Sequence, residues 1–268
     1  MYIGNSAITQ YYVGGTLVDR IYQGDTIVYE KNPGPTPIDY SEQYLTFEIL
    51  SAGTIVWQKN SAIAEVKTVT YSINDGAWIS LNSATGTNSS FNVVAGDIVR
   101  FKGGHDRYTR SSTNYSSFGS STATFNIYGN IMSLIGGDNF KTLDTLTTAW
   151  TFFSLFKGTQ VISAQNLILP ATALTNYCYR EMFLDCTSLT TAPVLSAATL
   201  ATHSYFKLFS GCTNLNYIKC LATDLGDSGT GSWTDGVSAT GTFVKAASMT
   251  GWTTGANGIP SNWTVQDA

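Results

Sequence analysis

From Tyr44 to Ile127 apolar and polar positions alternate in short runs, and turn residues separate the runs. Tyr44–Leu50 comes first, and Thr54–Trp57 follows Gly53. Val66–Ile73 leads through Asn74-Asp75-Gly76 to Trp78–Leu81. That tripeptide is a hairpin signal, because Asn, Asp and Gly tolerate the positive φ of a tight turn. Phe91–Val94, a turn at Ala95-Gly96-Asp97, Ile98–Phe101 and Ala123–Ile127 complete the series. A period of two predicts strands with one buried face, and about seven short strands at this spacing predict a β-sandwich over 41–129.

Further on the period changes. Leu174, Tyr179, Phe183, Cys186 and Leu189 recur 26 residues later as Leu200, Tyr205, Phe209, Cys212 and Leu215. A weaker copy, Phe153–Ile162, lies 27 residues upstream, with Thr159 in the cysteine position. A fixed period in this range predicts a short leucine-rich-repeat solenoid over 130–222, in which each unit buries its apolar face only against its neighbours. His203 aligns with Tyr177 and is expected on the repeat surface. Residues 223–268, which carry Trp233, Phe243, Trp252 and Trp263, are expected to cap the last repeat and leave some rings exposed.

The first thirty residues repeat every ten. Tyr2, Tyr12 and Tyr22 each open a unit of alternating aromatic, glycine and β-branched positions, and Val18 and Val28 close the second and third. The pattern predicts strands, with tight turns at Gly4-Asn5, Gly14-Gly15 and Gly24-Asp25. A meander this small lacks a core of its own, so it needs copies of itself, a docking surface or the next domain to pack on. Tyr2, Tyr12, Tyr22, Val18 and Val28 are the expected anchoring or oligomerisation residues of an element spanning 1–31. Residues 32–40 follow as a linker, and Asn32-Pro33-Gly34-Pro35-Thr36-Pro37 holds three of the six prolines, a stiff extended spacer.

Composition narrows the partners. The chain of 268 residues is 43% hydrophobic, enough for real cores, yet only 12% charged. Ser, Thr, Asn, Gly and Tyr fill the surface instead, a style suited to glycan or protein contact outside cells. A net charge of −4 argues against nucleic acid. No apolar stretch approaches the ~18 residues of a membrane span, so membrane insertion is not expected. The start, Met1 to Ser6, has no basic segment and no apolar run, so no secretory signal is expected.

The insert Gly103–Arg110, with Tyr115 and Phe118 beyond it, concentrates charge and aromatics in a charge-poor chain. As a loop with exposed rings it offers His105, Arg107, Tyr108 and Tyr115 as candidate ligand contacts, against the plainer reading of loop filler. Cys178, Cys186, Cys212 and Cys220 lack metal-ligand spacing. Cys186 and Cys212 are expected to stack as buried thiols; a Cys178–Cys220 or Cys186–Cys212 disulfide is the alternative. Asp224, Asp227 and Asp235 do not match a calcium loop. No nucleophile, phosphate-loop or zinc motif is present, and nothing nominates the carboxylate pair a glycosidase needs. Neither an enzyme nor a cofactor is expected.

The repeat units Met182-Phe183-x-x-Cys186-x-x-Leu189 and Leu208-Phe209-x-x-Cys212-x-x-Leu215 resemble the BspA-like leucine-rich repeats of surface proteins from gut Bacteroides-type bacteria and their phages. Gly129–Leu134 and Gly258–Val265 are similar to segments of the same group, and Tyr22–Tyr29 resembles short β-repeats at the ends of phage structural proteins. The resemblance implies adhesion and carries no catalytic residues. With the absent export signal it implies a mainly β, non-enzymatic phage virion protein, such as a head or tail fibre or a decoration. Such a protein would be anchored on capsid or tail through its N-terminus, homo-oligomeric (a trimer would be natural), and would touch a host-surface glycan or protein. The alternative is a secreted or surface-anchored bacterial adhesin.

Overall fold

The computed structural model describes residues 38–86 and 89–268, together with the backbone of six short strands between residues 2 and 30. The protein is mainly β. Met1–Asp39 and Tyr40–Ala268 form two compact units.

In the first unit β1 (Tyr2–Ile3) pairs with β2 (Ser6–Ala7), β3 (Tyr12–Val13) with β4 (Thr16–Leu17), and β5 (Arg20–Gln23) with β6 (Thr26–Glu30), all antiparallel. Ile3 lies opposite Ser6, Val13 opposite Thr16 and Gln23 opposite Thr26, so the pairing keeps the ten-residue period. The side chains of Tyr2, Tyr12, Tyr22, Val18 and Val28, the three glycine turns and the proline spacer lie outside the described residues.

The second unit opens with β7 (Leu45–Ile49), β8 (Gly53–Val56), β9 (Gln58–Lys59), β10 (Thr68–Ile73), β11 (Ile79–Asn82), β12 (Ala84–Thr85) and β13 (Ser90–Val93). It continues with β14 (Ile98–Gly103), β15 (Thr109–Ser111), β16 (Asn114–Ser117), β17 (Phe125–Asn130) and β18 (Val161–Ile168). Six of these make one sheet in the order β11-β10-β14-β7-β17-β18. Alternation gives the sheet a buried face, carrying Phe47, Val69, Phe101 and Phe125, and a polar face, carrying Thr70, Arg100 and Lys102. On the buried face Phe47 stacks on Phe125 at 4.4 Å, and Phe118 and Trp57 close over the cluster. Asn74 and Asp75 both take positive φ, and Gly76 N–H donates to Ile73 O at 2.8 Å, a tight turn at the expected tripeptide.

β18 changes the rule. It pairs with β17 in parallel, so one strand serves the antiparallel sheet on one side and a parallel ladder on the other. The ladder runs on from Ser163 to Thr191 and Tyr217, then through β19 (Tyr217–Cys220), β20 (Thr242–Lys245) and β21 (Thr264–Asp267). Residues 223–268 thus contribute two further ladder strands. Trp233 and Phe243 are fully buried and Trp263 is 7% exposed, while Trp252 is half-buried, so most of the rings expected at the surface serve as core.

Opposite the ladder the chain forms stacked layers of consecutive turns, and the backbone divides its hydrogen bonds by parity. The amides of Trp150, Phe152, Ser154, Phe156 and Gly158 donate to the next layer, at Asn176, Cys178, Arg180, Met182 and Leu184. The intervening amides of Phe153, Leu155, Lys157 and Thr159 close turns within their own layer. Alternate turns, such as Phe152–Leu155 and Phe156–Thr159, take positive φ at their third residue, so that every fourth residue is left-handed: Trp150, Ser154 and Gly158, Tyr177, Glu181 and Asp185, and His203, Lys207 and Gly211. Side chains therefore align in columns. Phe156, Phe183 and Phe209 stack at 5.3 and 5.7 Å, and Trp150, Tyr177 and His203 at 4.1 and 5.3 Å. Thr159, Cys186 and Cys212 form a third column, in which the Cys186 and Cys212 thiols donate to Phe156 O and Phe183 O, both at 3.0 Å. All four cysteines are free and buried, and burial pushes the Cys186 thiol up to about 12.

Candidate functional site

The four expected contact residues do not form one site. Tyr108 is 1% exposed: its ring meets Trp57 edge-on at 5.4 Å and its hydroxyl donates to Leu134 O. Phe118 is fully buried. The expected loop of exposed rings is instead closed by the hairpin β15–β16, and Tyr108 and Phe118 serve as core. Arg107 is half-buried. Tyr115 packs on Phe153 at 5.2 Å and lines a cavity of about 320 Å³ with Lys157 and Asp185; burial and the Glu181 carboxylate raise its phenol pKa. His105 lies at a different cavity, of about 430 Å³, on the polar sheet face. Its Nε2 accepts the Thr68 N–H at 3.0 Å, and burial, aided by Lys67, lowers its pKa.

A second cavity, of about 420 Å³, opens on the same face. Four residues absent from the sequence-based candidates separate the two. The Lys102 ammonium sits 4.3 Å over the Trp78 ring and donates to both Asp138 carboxylate oxygens at 2.8 and 3.0 Å. Tyr44 donates its hydroxyl to Asp138 at 2.7 Å and meets Trp78 edge-on at 5.1 Å. Lys102, then Tyr44, holds the Asp138 carboxyl below its ordinary range, while burial and Asp138 raise the Tyr44 phenol.

Local structure explains the placement. Lys102 and Arg100 project from β14 on the polar face, across from Thr70 and Ser72 of β10. Trp78 stands two residues before Ser80, which pairs with Thr70, so its side chain shares that face. The preceding turn is held by Asn74, whose amide donates to Asp97 at 2.8 Å and whose oxygen accepts Ile98 N–H at 2.9 Å. Asp138 opens the short 3-10 turn Gly137–Thr142. Just before it, Ser133 accepts Leu45 N–H and donates to Phe101 O, both at 2.9 Å, which seats this segment on the ends of β7 and β14.

The cavity beside Trp78 is bounded by Glu42, Ser72, Asp75, Trp78 and Arg100. Arg100 pairs with Asp75, and Glu42 with Lys141 at 2.7 Å. Trp78 is 37% exposed and lines the cavity, while the Lys102 ammonium covers one face of its ring. The Trp150–Tyr177–His203 column differs: its rings stack nearly parallel, within 13°, and so cover one another's faces. Among the described residues no group of three or more His, Cys, Asp or Glu could hold a metal ion, and no helix is long and apolar enough to cross a membrane. No protein-family model, curated protein or solved structure matches the chain.

Proposed function

We propose that the protein is a non-enzymatic adhesion component of a bacteriophage virion, a head or tail fibre or a decoration. In this reading the ten-residue repeats of 1–31 anchor it on capsid or tail, alone or as an oligomer, and Tyr40–Ala268 projects towards a host-surface glycan or protein. The antiparallel part is read as a β-sandwich and the stacked layers as BspA-like leucine-rich repeats forming a solenoid.

The observation that carries the adhesive reading is the open cavity beside Trp78. A solvent-facing indole, braced by Lys102 and Tyr44, borders polar side chains already engaged with one another. Repetition in a virion would multiply a weak site into useful avidity.

Immunogold labelling of a phage-producing culture, with antibody raised against residues 41–268, tests the reading. Gold on particles is the expected result, and its position separates head from tail. Gold on cell envelopes of a phage-free culture overturns the virion assignment in favour of a bacterial surface adhesin.

A further inference from the structure

We infer that the cavity beside Trp78 binds an uncharged sugar residue, with the pyranose ring against the indole and its hydroxyls shared between Asp75, Arg100 and Glu42. This rests on the adhesive reading and names the ligand class of that site.

Three features converge. First, recognition here must run through side chains. β10 is paired on both sides, with β11 and β14, and β14 lies between β10 and β7. The backbone groups of β10 and β14 are therefore spent, and no residue of the edge strand β11 lines the cavity, which disfavours an extended peptide, since peptides bind sheets by adding to an open edge. Second, a pyranose presents an apolar C–H face and a polar rim, and the cavity offers the complement. The Trp78 ring lies beside acceptors on Asp75 and Glu42 and donors on Arg100. A volume of about 420 Å³ falls within the range of small-molecule sites. Third, the charge excludes an acid. The lining holds two carboxylates, Glu42 and Asp75, and one guanidinium, Arg100. Arg100 is already paired with Asp75, so an anionic sugar would have to displace a carboxylate to reach it. For vicinal hydroxyls the same pair is a ready donor beside a ready acceptor.

The site is also held in advance. Lys102 and Tyr44 brace the indole, and Asn74 fixes the turn that carries Asp75. Little of the indole's side-chain entropy remains to be lost on binding.

The test is saturation-transfer NMR and calorimetry on the full chain. The probes are mannotriose, triacetylchitotriose and lactose, with sialyllactose as the anionic comparison. At least one neutral sugar should bind, and sialyllactose no better than lactose. Trp78→Ala should weaken that binding by about tenfold or more, as loss of a central aromatic contact does. Asp75→Asn, which keeps a side chain tolerant of the positive φ, should weaken it several-fold. Tyr115→Ala, at the other cavity, should leave it unchanged. Silence across the neutral probes, tighter binding of sialyllactose than of lactose, or full affinity in folded Trp78→Ala overturns the inference. Gold on particles together with any of those results sinks the sugar site alone; sugar binding with gold only on phage-free envelopes sinks the virion reading alone.

Discussion

In the antiparallel part Phe47 meets Phe125 across adjacent strands, and Val69 shares its face with Tyr71 two residues on. In the stack Phe183 meets Phe156 and Phe209, one layer of chain before and after it. The first core is assembled by alternation within a strand, the second by recurrence between layers. The backbones differ in the same way. Antiparallel strands satisfy their amides in an extended conformation open to any residue. The stack holds Trp150, Tyr177, Glu181, His203 and Lys207 at positive φ, which costs roughly 1–2 kcal/mol per residue. Hydrogen bonds to the adjacent layers offset that cost. A single layer has no reason to keep its shape; the stack exists because each layer is templated by its neighbours.

The comparison is broken most directly at Phe183. Phe183→Ala interrupts a continuous column and should cost about 3–5 kcal/mol in urea unfolding. A loss under about 1 kcal/mol would mean that the column is not a core. In the antiparallel part Gly129 has φ +85°, and a Cβ there would lie 2.0 Å from Tyr44 O. Gly129→Ala should cost about 2 kcal/mol or more, against about zero for Gly104→Ala, where nothing lies within 4 Å. Equal stabilities of these two variants would remove the close approach.

Smaller effects sharpen the contrast. Among the described residues the Tyr179 hydroxyl is buried without a hydrogen-bond partner, one layer from Phe152. Tyr179→Phe should raise stability by about 1 kcal/mol, since a buried unsatisfied hydroxyl is a net cost; destabilisation would reveal a partner for it. Ser232 sits at φ +50°. Ser232→Gly should stabilise by about 0.5 kcal/mol, because relief of the strained backbone slightly exceeds the added freedom of the unfolded chain. The smallest effect is one of pH. The folded-state pKa of His105 lies below 6.5, so the unfolded chain takes up its proton first as pH falls. This contribution is full above about pH 6.5 and declines below it, towards the folded pKa. Thermal melts across that window should show a decline that His105→Gln removes.

Much of this was legible beforehand, for stated reasons. The seven expected strands of the antiparallel part are present because each carries its own period of two, and Asn74-Asp75-Gly76 makes its turn because the chemistry is local. The columns at Phe183 and Cys186 could be read from the 26-residue spacing, down to Thr159 substituting for a cysteine. β20 and β21 were missed because what repeats there is backbone pairing, while the side chains have changed, Trp233 following Tyr205 in its column. Tyr108 was misplaced because a charged neighbourhood in sequence says nothing of which strand closes over a ring. The cavity site was hidden for a related reason. Lys102 and Asp138 are 36 residues apart, and Tyr44 and Asp138 are 94 apart, so only strand order brings them together. A tryptophan directly after a hairpin turn, on the polar side of the alternation, was the one available hint.

The shared strand β17 also makes length a heritable variable. Apart from residues 42–44, everything that lines the Trp78 cavity lies on the antiparallel side of that strand, while each later layer pairs only with its neighbours. Duplicating the 26 residues from Cys186 to Gly211 would lengthen the ladder by one strand, moving its far end by about 4.8 Å, and leave the cavity untouched. The length of the stack can then change one layer at a time, by gain or loss of a repeat, without altering the cavity.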